Sequence, residues 1–230
     1  MYVLYTISVY LTHISQPPPP NQVRELMRGL VSGVKYLHDS YIVHRDIKPQ
    51  NVLLLRRANG DDDEKNDWAK HYVAKLSDMG LGKQLRQQRS SWRGGGTVGT
   101  AGWQAPEVLR AMIDEEDDLE DRKQKEEKSS STNQFDRLGR AVDVWSMGCV
   151  LHTLACLGQH PFGKWYEREK RILERRFEAP VSDLAAIPEL RALVRVVLRI
   201  HHHTPHQLII STIQTDTKHD LVRSDSSTKL

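Results

Sequence analysis

One short stretch of this chain gathers the groups that phosphoryl transfer requires: His44-Arg45-Asp46-Ile47-Lys48-Pro49-Gln50-Asn51. Such a reaction needs a carboxylate to orient the attacking hydroxyl and take its proton, a cation to neutralise phosphate charge, and oxygen ligands to hold a magnesium ion. Asp46 fits the first role as catalytic base, Lys48 the second as phosphate contact, and Asn51, five residues after the aspartate, the third as metal ligand. Any one of these residues alone is an ordinary polar surface residue. Their order and spacing within eight positions give the stretch its meaning.

A second acidic group follows 27 residues after Asn51, in Ser77-Asp78-Met79-Gly80. Asp78 supplies another oxygen ligand for a metal that bridges phosphates, and Met79 brings a flexible thioether able to fill an apolar slot. Further on stands Ala105-Pro106-Glu107. Between Asp78 and Glu107 lie the hydroxyls of Ser90, Ser91, Thr97 and Thr100 and the flexible run Gly94-Gly95-Gly96. Phosphorylation at Ser90, Ser91 or Thr97 would supply a dianion for Arg45 to pair with, ordering the loop.

The elements that must position these groups are legible from periodicity. Val23, Met27, Leu30, Val34 and Leu37 recur at helical spacing, with Leu26 and Val31 widening the stripe, which predicts an amphipathic helix over 22–39. Tyr41–Val43 and Val52–Leu55 are β-prone runs bracketing the catalytic stretch, and two further apolar helices are predicted over Val142–Leu157 and Leu184–Ile200. The proline run Pro17–Pro20 reads as a connector. Two charged inserts, near 59–70 and 114–133, have the composition of solvated surface loops. The cluster His201–His203 with His206 has no cysteine or carboxylate to complete a metal set, so it is expected to bind metals only adventitiously.

Composition narrows the setting. The chain has 230 residues, 38% hydrophobic and 27% charged, and a formal net charge of +3, too small to draw it strongly to nucleic acid or an anionic membrane. Its two cysteines, Cys149 and Cys156, are spaced to share one helix face as small core residues. The longest apolar run, Tyr2–Leu11, is too short to span a bilayer, so no membrane segment is expected here, and the run reads as ordinary or misassigned sequence.

In this order the blocks resemble a eukaryotic protein kinase, and Ile47-Lys48-Pro49 looks like the Ser/Thr branch. Gly99-Thr100-Ala101-Gly102-Trp103-Gln104-Ala105-Pro106-Glu107, then Arg140 to Val150, then Gly158-Gln159-His160-Pro161-Phe162-Gly163 are similar to the inositol-requiring kinase/ribonuclease sensors of endoplasmic-reticulum stress. The resemblance implies an α+β, protein-kinase-like fold over residues 22–200, mainly the helical C-terminal lobe, with 1–21 an uncertain N-terminal segment and 201–230 a divergent tail expected to be disordered. No glycine-rich loop or V-A-I-K lysine precedes His44, so the N-terminal lobe is expected to be missing.

The resemblance further implies ATP and Mg2+ as cofactors, with Lys48, Asn51, Leu53 and Asp78 binding ATP, Leu53 as the floor under adenine, and Asn51 and Asp78 holding the metal. Arg45 and Asp143 would be structural anchors, Asp143 tying down the catalytic-loop backbone. Glu107 would lack its usual arginine partner, because His201 to His206 stand where that region is expected. Partners would be ATP and a protein substrate or a second kinase copy, with RNA entering only through a nuclease domain. Full-length relatives would be anchored in the endoplasmic-reticulum membrane with the kinase facing the cytosol, which makes this chain cytoplasmic. The competing expectation is an inert binding module that pairs with a related kinase.

Overall fold

A computed structural model of the chain describes residues 4–56, 72–85, 91–93, 98–122, 137–178 and 194. The insert near 59–70, the tail after 200, Ser90, Thr97 and all of the predicted helix at Leu184–Ile200 except Val194 lie outside them. Within that set, helices alternate with small antiparallel sheets: β1 (Leu4–Thr6), α1 (Ile7–His13), α2 (Pro20–Asp39), β2 (Ile42–Val43), a 3-10 turn at Pro49–Asn51, β3 (Val52–Arg56), β4 (Tyr72–Leu76), β5 (Lys83–Gln84), β6 (Ser91–Arg93), α3 (Pro106–Arg122), β7 (Arg137–Gly139), α4 (Ala141–Ala155) and α5 (Arg168–Leu173).

Helix α2 buries the predicted stripe: Val23, Leu26, Met27, Leu30, Val31 and Val34 all lie in the core. It starts at Pro20, two residues before the predicted boundary, because proline has no amide hydrogen to lose at the first helical position and its fixed φ suits entry into a helix. Its neighbour across the core is β4. There a Cβ on Gly29 would come within 2.6 Å of the Ala74 carbonyl oxygen, so only glycine permits this helix-to-strand distance.

Helix α4 is buried along almost its whole length, from Val142 to Ala155. A helix apolar on every side belongs in the middle of a lobe, where each fully buried Leu or Met contributes about 1.5–3 kcal/mol. Trp145 stacks on Phe162 at 5.5 Å between ring centroids, pinning the loop after α4 to its side. Cys149 and Cys156 are buried and unbridged, as their spacing implied, and burial pushes the Cys149 thiol well above its ordinary range.

The first described residues are part of this core. β1 pairs antiparallel with β3 in the register Leu4↔Leu55, Tyr5↔Leu54 and Thr6↔Leu53, which extends the β3–β4 hairpin to a sheet of order β1-β3-β4. The Thr6 hydroxyl caps α1 by accepting from the Val9 amide at 3.2 Å, and Ile7 and Tyr10 enter the common core. Thus the described part of the apolar run read as ordinary or misassigned, from Leu4, folds against the segment it precedes. The second insert also differs from expectation, since α3 continues to Arg122 and makes the first part of 114–133 helical rather than loop. Glu115, Glu116, Leu119, Glu120 and Arg122 are good helix formers, and extending an existing helix avoids the cost of a new nucleus.

His160 is 3% exposed, sits edge-on to Trp103 at 4.6 Å, and accepts a hydrogen bond from the Phe162 amide at 3.2 Å. Burial, with the positive charge of Arg168 next, depresses its pKa to about 2. The native state therefore keeps the ring neutral while the unfolded chain protonates it near pH 6.5. Its stabilising contribution is complete above that value and declines, by about 1.4 kcal/mol per pH unit, as pH falls from about 6.5 towards the folded value. Urea unfolding at pH 7 and pH 5 should show wild type losing about 2 kcal/mol more than His160→Phe over that interval. Equal losses in the two proteins would show that His160 is not the group titrating.

Candidate active site

The catalytic stretch runs from β2 through the 3-10 turn into β3, and Asp143 in the first turn of α4 fastens its start. Asp143 is fully buried. One carboxylate oxygen accepts from the His44 amide at 2.8 Å and from His38 Nε2 at 2.9 Å, and the other accepts from the Arg45 amide at 2.8 Å. These bonds hold Arg45 in a left-handed backbone conformation, φ 69°, that an isolated arginine disfavours. The Arg45 side chain reaches the other way, donating from Nε to the Leu81 carbonyl at 2.6 Å, just past the Asp78 segment. Burial lowers its guanidinium pKa, with Asp143 opposing.

Around Asp46 the predicted residues meet. Lys48 Nζ donates to Asp46 Oδ2 at 2.7 Å, and Asn51 Nδ2 donates to the same oxygen at 3.0 Å and to the Asp46 carbonyl at 2.8 Å. Thr100 completes the group: its hydroxyl donates to Asp46 Oδ1 at 2.6 Å and accepts from Lys48 Nζ at 2.6 Å. Burial works to raise the Asp46 pKa, but hydrogen bonds from Lys48 and Thr100, the lysine charge and Asn51 together outweigh it and hold the carboxyl below its ordinary value. The carboxylate is thus ionised and aimed by three donors, the state a proton-accepting group needs before it meets a hydroxyl.

The metal-binding candidates lie on joined segments. Ser77 donates from its amide at 2.9 Å and from its hydroxyl at 3.1 Å to the Asn51 carbonyl, which sets Asp78 beside Asn51. His44 ties the same point from the other side, its Nε2 bonding to the Ser77 carbonyl at 3.0 Å. Asp78 is exposed, with φ 59°, and accepts a long bond from the Gly80 amide at 3.3 Å. Because the Asn51 nitrogen is committed to Asp46, its amide oxygen and the Asp78 carboxylate are the oxygens available to a hard cation, which fits magnesium. Among the described residues no group of three or more His, Cys, Asp or Glu gathers to hold a metal.

Leu53 is half-buried on β3 opposite Thr6. Ser91 falls in β6, whereas Ser90 and Thr97 are outside the described residues. Glu107 stands in the first turn of α3.

From the sequence Thr100 is one more hydroxyl of the segment between Asp78 and Glu107; its contact with Asp46 and Lys48 spans a separation in the chain that periodicity does not reveal. Gly99 was the available signal. Its φ is 96°, and an added Cβ would lie 2.8 Å from the Arg45 carbonyl oxygen, so the backbone must be bare where Thr100 approaches the catalytic stretch. Gly99→Ala should cost about 1–3 kcal/mol in denaturant unfolding and should displace the Thr100 hydroxyl, lowering turnover as well. Unchanged stability would contradict the close approach.

This arrangement, a helix-anchored loop presenting carboxylate, lysine and asparagine beside a second aspartate in an α+β lobe, gathers the groups that phosphoryl transfer requires. The sequence matches the protein kinase domain over residues 7–219, and the chain belongs to that family. Among curated proteins it is 35% identical over 181 residues to the serine/threonine-protein kinase/endoribonuclease IRE1 of Oryza sativa subsp. japonica, covering 78% of this chain and 16% of that protein. It is 30% identical over 154 residues to the sensor for unfolded proteins in the ER, ire1, of Schizosaccharomyces pombe, covering 66% and 13%. A relative from Arabidopsis thaliana named as an inactive serine/threonine-protein kinase/endoribonuclease IRE1-like is 34% identical over 158 residues, covering 68% and 23%. The chain therefore spans less than a quarter of the length of these relatives.

Proposed function

We propose that this chain is catalytic-lobe sequence of a protein serine/threonine kinase of the unfolded-protein-response type, which moves a phosphoryl group from Mg-ATP to Ser or Thr hydroxyls, including those of its own activation segment. The observation that carries this reading is the Asp46 carboxylate held ionised by Lys48, Asn51 and Thr100. Asp46 orients the acceptor hydroxyl and takes its proton. Lys48, already within 2.7 Å of Asp46, neutralises charge on the transferring phosphoryl group. Asn51 and Asp78 would hold magnesium, which would offset the negative charge of the nucleotide phosphates, and Leu53 would lie under the adenine. Arg45 and Asp143 keep the loop in register.

In this reading the chain works in the cytoplasm, as the cytosolic part of a protein one of whose relatives is named as a sensor for unfolded proteins in the ER. RNA is a substrate only where a nuclease domain accompanies it. Among the described residues no helix is long and apolar enough to cross a membrane.

The metal assignment is testable with Mn2+ as the probe in the presence of ADP. Paramagnetic broadening should fall on Asn51 and Asp78 resonances and disappear in Asp78→Ala. Absence of nucleotide-dependent broadening at Asn51 would count against the enzyme reading.

The second reading, an inert lobe that pairs with a related kinase, is favoured by one observation. Met79 and Leu81, flanking the metal segment, are each 41% exposed. Chains that bind a kinase copy without nucleotide would support it.

A further inference from the structure

Two large aromatic side chains that the catalytic site leaves unused stand in water as neighbours: Trp165 is 78% exposed and Tyr166 60%. They are the central residues of a turn that the Glu167 amide closes on the Lys164 carbonyl at 3.0 Å, so both rings belong to its tip. The rings meet edge to face, 5.9 Å between centroids, and this contact props them against each other while they remain open to solvent. An aromatic side chain buries about 150–250 Å2 when it is fully covered, so an exposed pair is surface that a partner gains by covering.

Arg168 ties the base of this turn to the catalytic side of the lobe. Its Nε donates to the Gly163 carbonyl at 2.9 Å, its Cδ lies 2.9 Å from where a Cβ on Gly102 would stand, and its guanidinium sits over Trp103, 5.6 Å from the ring centroid. The Trp103 amide donates to the Thr100 carbonyl at 3.0 Å, and the Thr100 hydroxyl donates to Asp46 at 2.6 Å. One connected path of close contacts therefore runs from the Asp46 carboxylate to the aromatic turn.

The cations at this turn lack counter-charges. Arg168 is half-buried, and burial lowers its pKa; Lys164 is exposed at the foot of the turn. Glu167 and Glu178, the carboxylates that close on this region, are both engaged by Arg171, at 2.7 and 3.3 Å. Among the described residues neither Arg168 nor Lys164 pairs with a carboxylate. A guanidinium held partly out of water without an opposite charge is one that a carboxylate from outside would stabilise. Trp, Tyr and Arg are also the residue types in which the binding energy of protein interfaces concentrates.

We propose that the turn Lys164–Glu167, together with Arg168, is a docking surface for the polypeptide that this kinase phosphorylates, and that it takes a segment in which large apolar side chains stand beside carboxylates. The apolar groups cover Trp165 and Tyr166, and a carboxylate pairs with Arg168 and Lys164. The identity of the partner rests on the kinase reading; the surface itself does not. The path to Asp46 singles out the acceptor polypeptide, since a chain whose hydroxyl reaches Asp46 passes Thr100 and Trp103 and comes to the turn. Two cations are too few to follow the phosphates of a nucleic acid.

The test titrates the full chain into a fluorescent peptide in which phenylalanine and leucine stand between glutamates, and reads anisotropy. Trp165→Ala and Tyr166→Ala, which remove exposed rings and leave the core intact, should each weaken binding about tenfold. Lys164→Glu should weaken it about threefold, and a peptide with lysine in place of glutamate should bind about tenfold less tightly. Tyr36→Ala, at a ring 72% exposed on α2, should change nothing. Joined through glycines to a serine, the same peptide should be a substrate whose KM rises about tenfold in Trp165→Ala while kcat holds. Equal binding by wild type and both alanine variants overturns the proposal, as does tighter binding of the lysine peptide or of oligouridylate. Self-association that Trp165→Ala abolishes and the peptide fails to displace overturns it in favour of a second copy of the chain. Peptide binding lost in the alanine variants, with no phosphoryl transfer by any form, would sink the kinase reading and leave the surface standing.

Discussion

Asp46→Asn is expected to lower phosphoryl transfer by about a hundredfold to ten-thousandfold, the range that a positioned general base contributes, while the lobe stays folded. Asparagine keeps the shape of the side chain and its bonds from Thr100 or Asn51 in part, but it accepts no proton and no longer balances Lys48 at 2.7 Å. Because the native state holds the Asp46 carboxyl below its ordinary value, ionised Asp46 stabilises the fold above about pH 4, and this contribution is lost as pH falls through the folded value. The stability difference between wild type and Asp46→Asn should therefore be small, present at neutral pH, and absent in strong acid. Turnover within threefold of wild type would remove Asp46 from the mechanism.

The largest effect on stability should come from Asp143→Ala. A fully buried carboxylate is replaced by a methyl group, and the amides of His44 and Arg45 and the ring of His38 all lose their acceptor. Breaking a buried charged network of this kind costs about 3–5 kcal/mol, a large share of the about 5–15 kcal/mol that holds an ordinary domain together. Urea unfolding should report the loss, and amide exchange at His44 and Arg45 should rise even under conditions where the rest of α4 remains protected. Asp143→Asn, which preserves volume and one acceptor oxygen, should fall between alanine and wild type. An alanine variant as stable as wild type would mean that the loop is held by something other than this carboxylate.

Much of this was legible in the residues, for physical reasons that differ from element to element. α2 declared itself because one buried face on a long helix imposes a 3.6-residue period, and its apolar stripe is the buried one. α4 lacks such a period, being buried all round, yet its apolar length was enough. Asp46, Lys48 and Asn51 were readable because they are close in sequence, so the distances among them follow from one loop and one 3-10 turn. What stayed hidden depends on pairing across long separations. Nothing in Leu4–Thr6 specifies Leu53–Leu55 as its partner, and nothing in Ser91–Arg93 specifies Arg137–Gly139. The helical start of the second insert was missed because charge was weighed above helix propensity, though α3 already ran into it from Pro106. Thr100 was placed in the right segment and given too general a role, since its bond to Asp46 spans a fold the local sequence does not encode.

These pairings also bear on how the site is held. The residues that do chemistry sit on short elements, and their supports are α4 through Asp143, the Ser77 link to Asn51, and the bare backbone at Gly99. Each support comes from a different part of the chain. Catalytic competence therefore requires the lobe as a whole, which is why stability and turnover are expected to fall together in Asp143→Ala and to separate in Asp46→Asn.

The most direct measurement is transfer of label from γ-labelled ATP to protein by the longest expressed form of this protein, with phosphoamino-acid analysis and with magnesium present or chelated. The account predicts label on serine and threonine, dependent on magnesium and abolished in Asp46→Asn. Transfer that persists in the asparagine variant, or a folded, nucleotide-bound protein that transfers nothing, would contradict it.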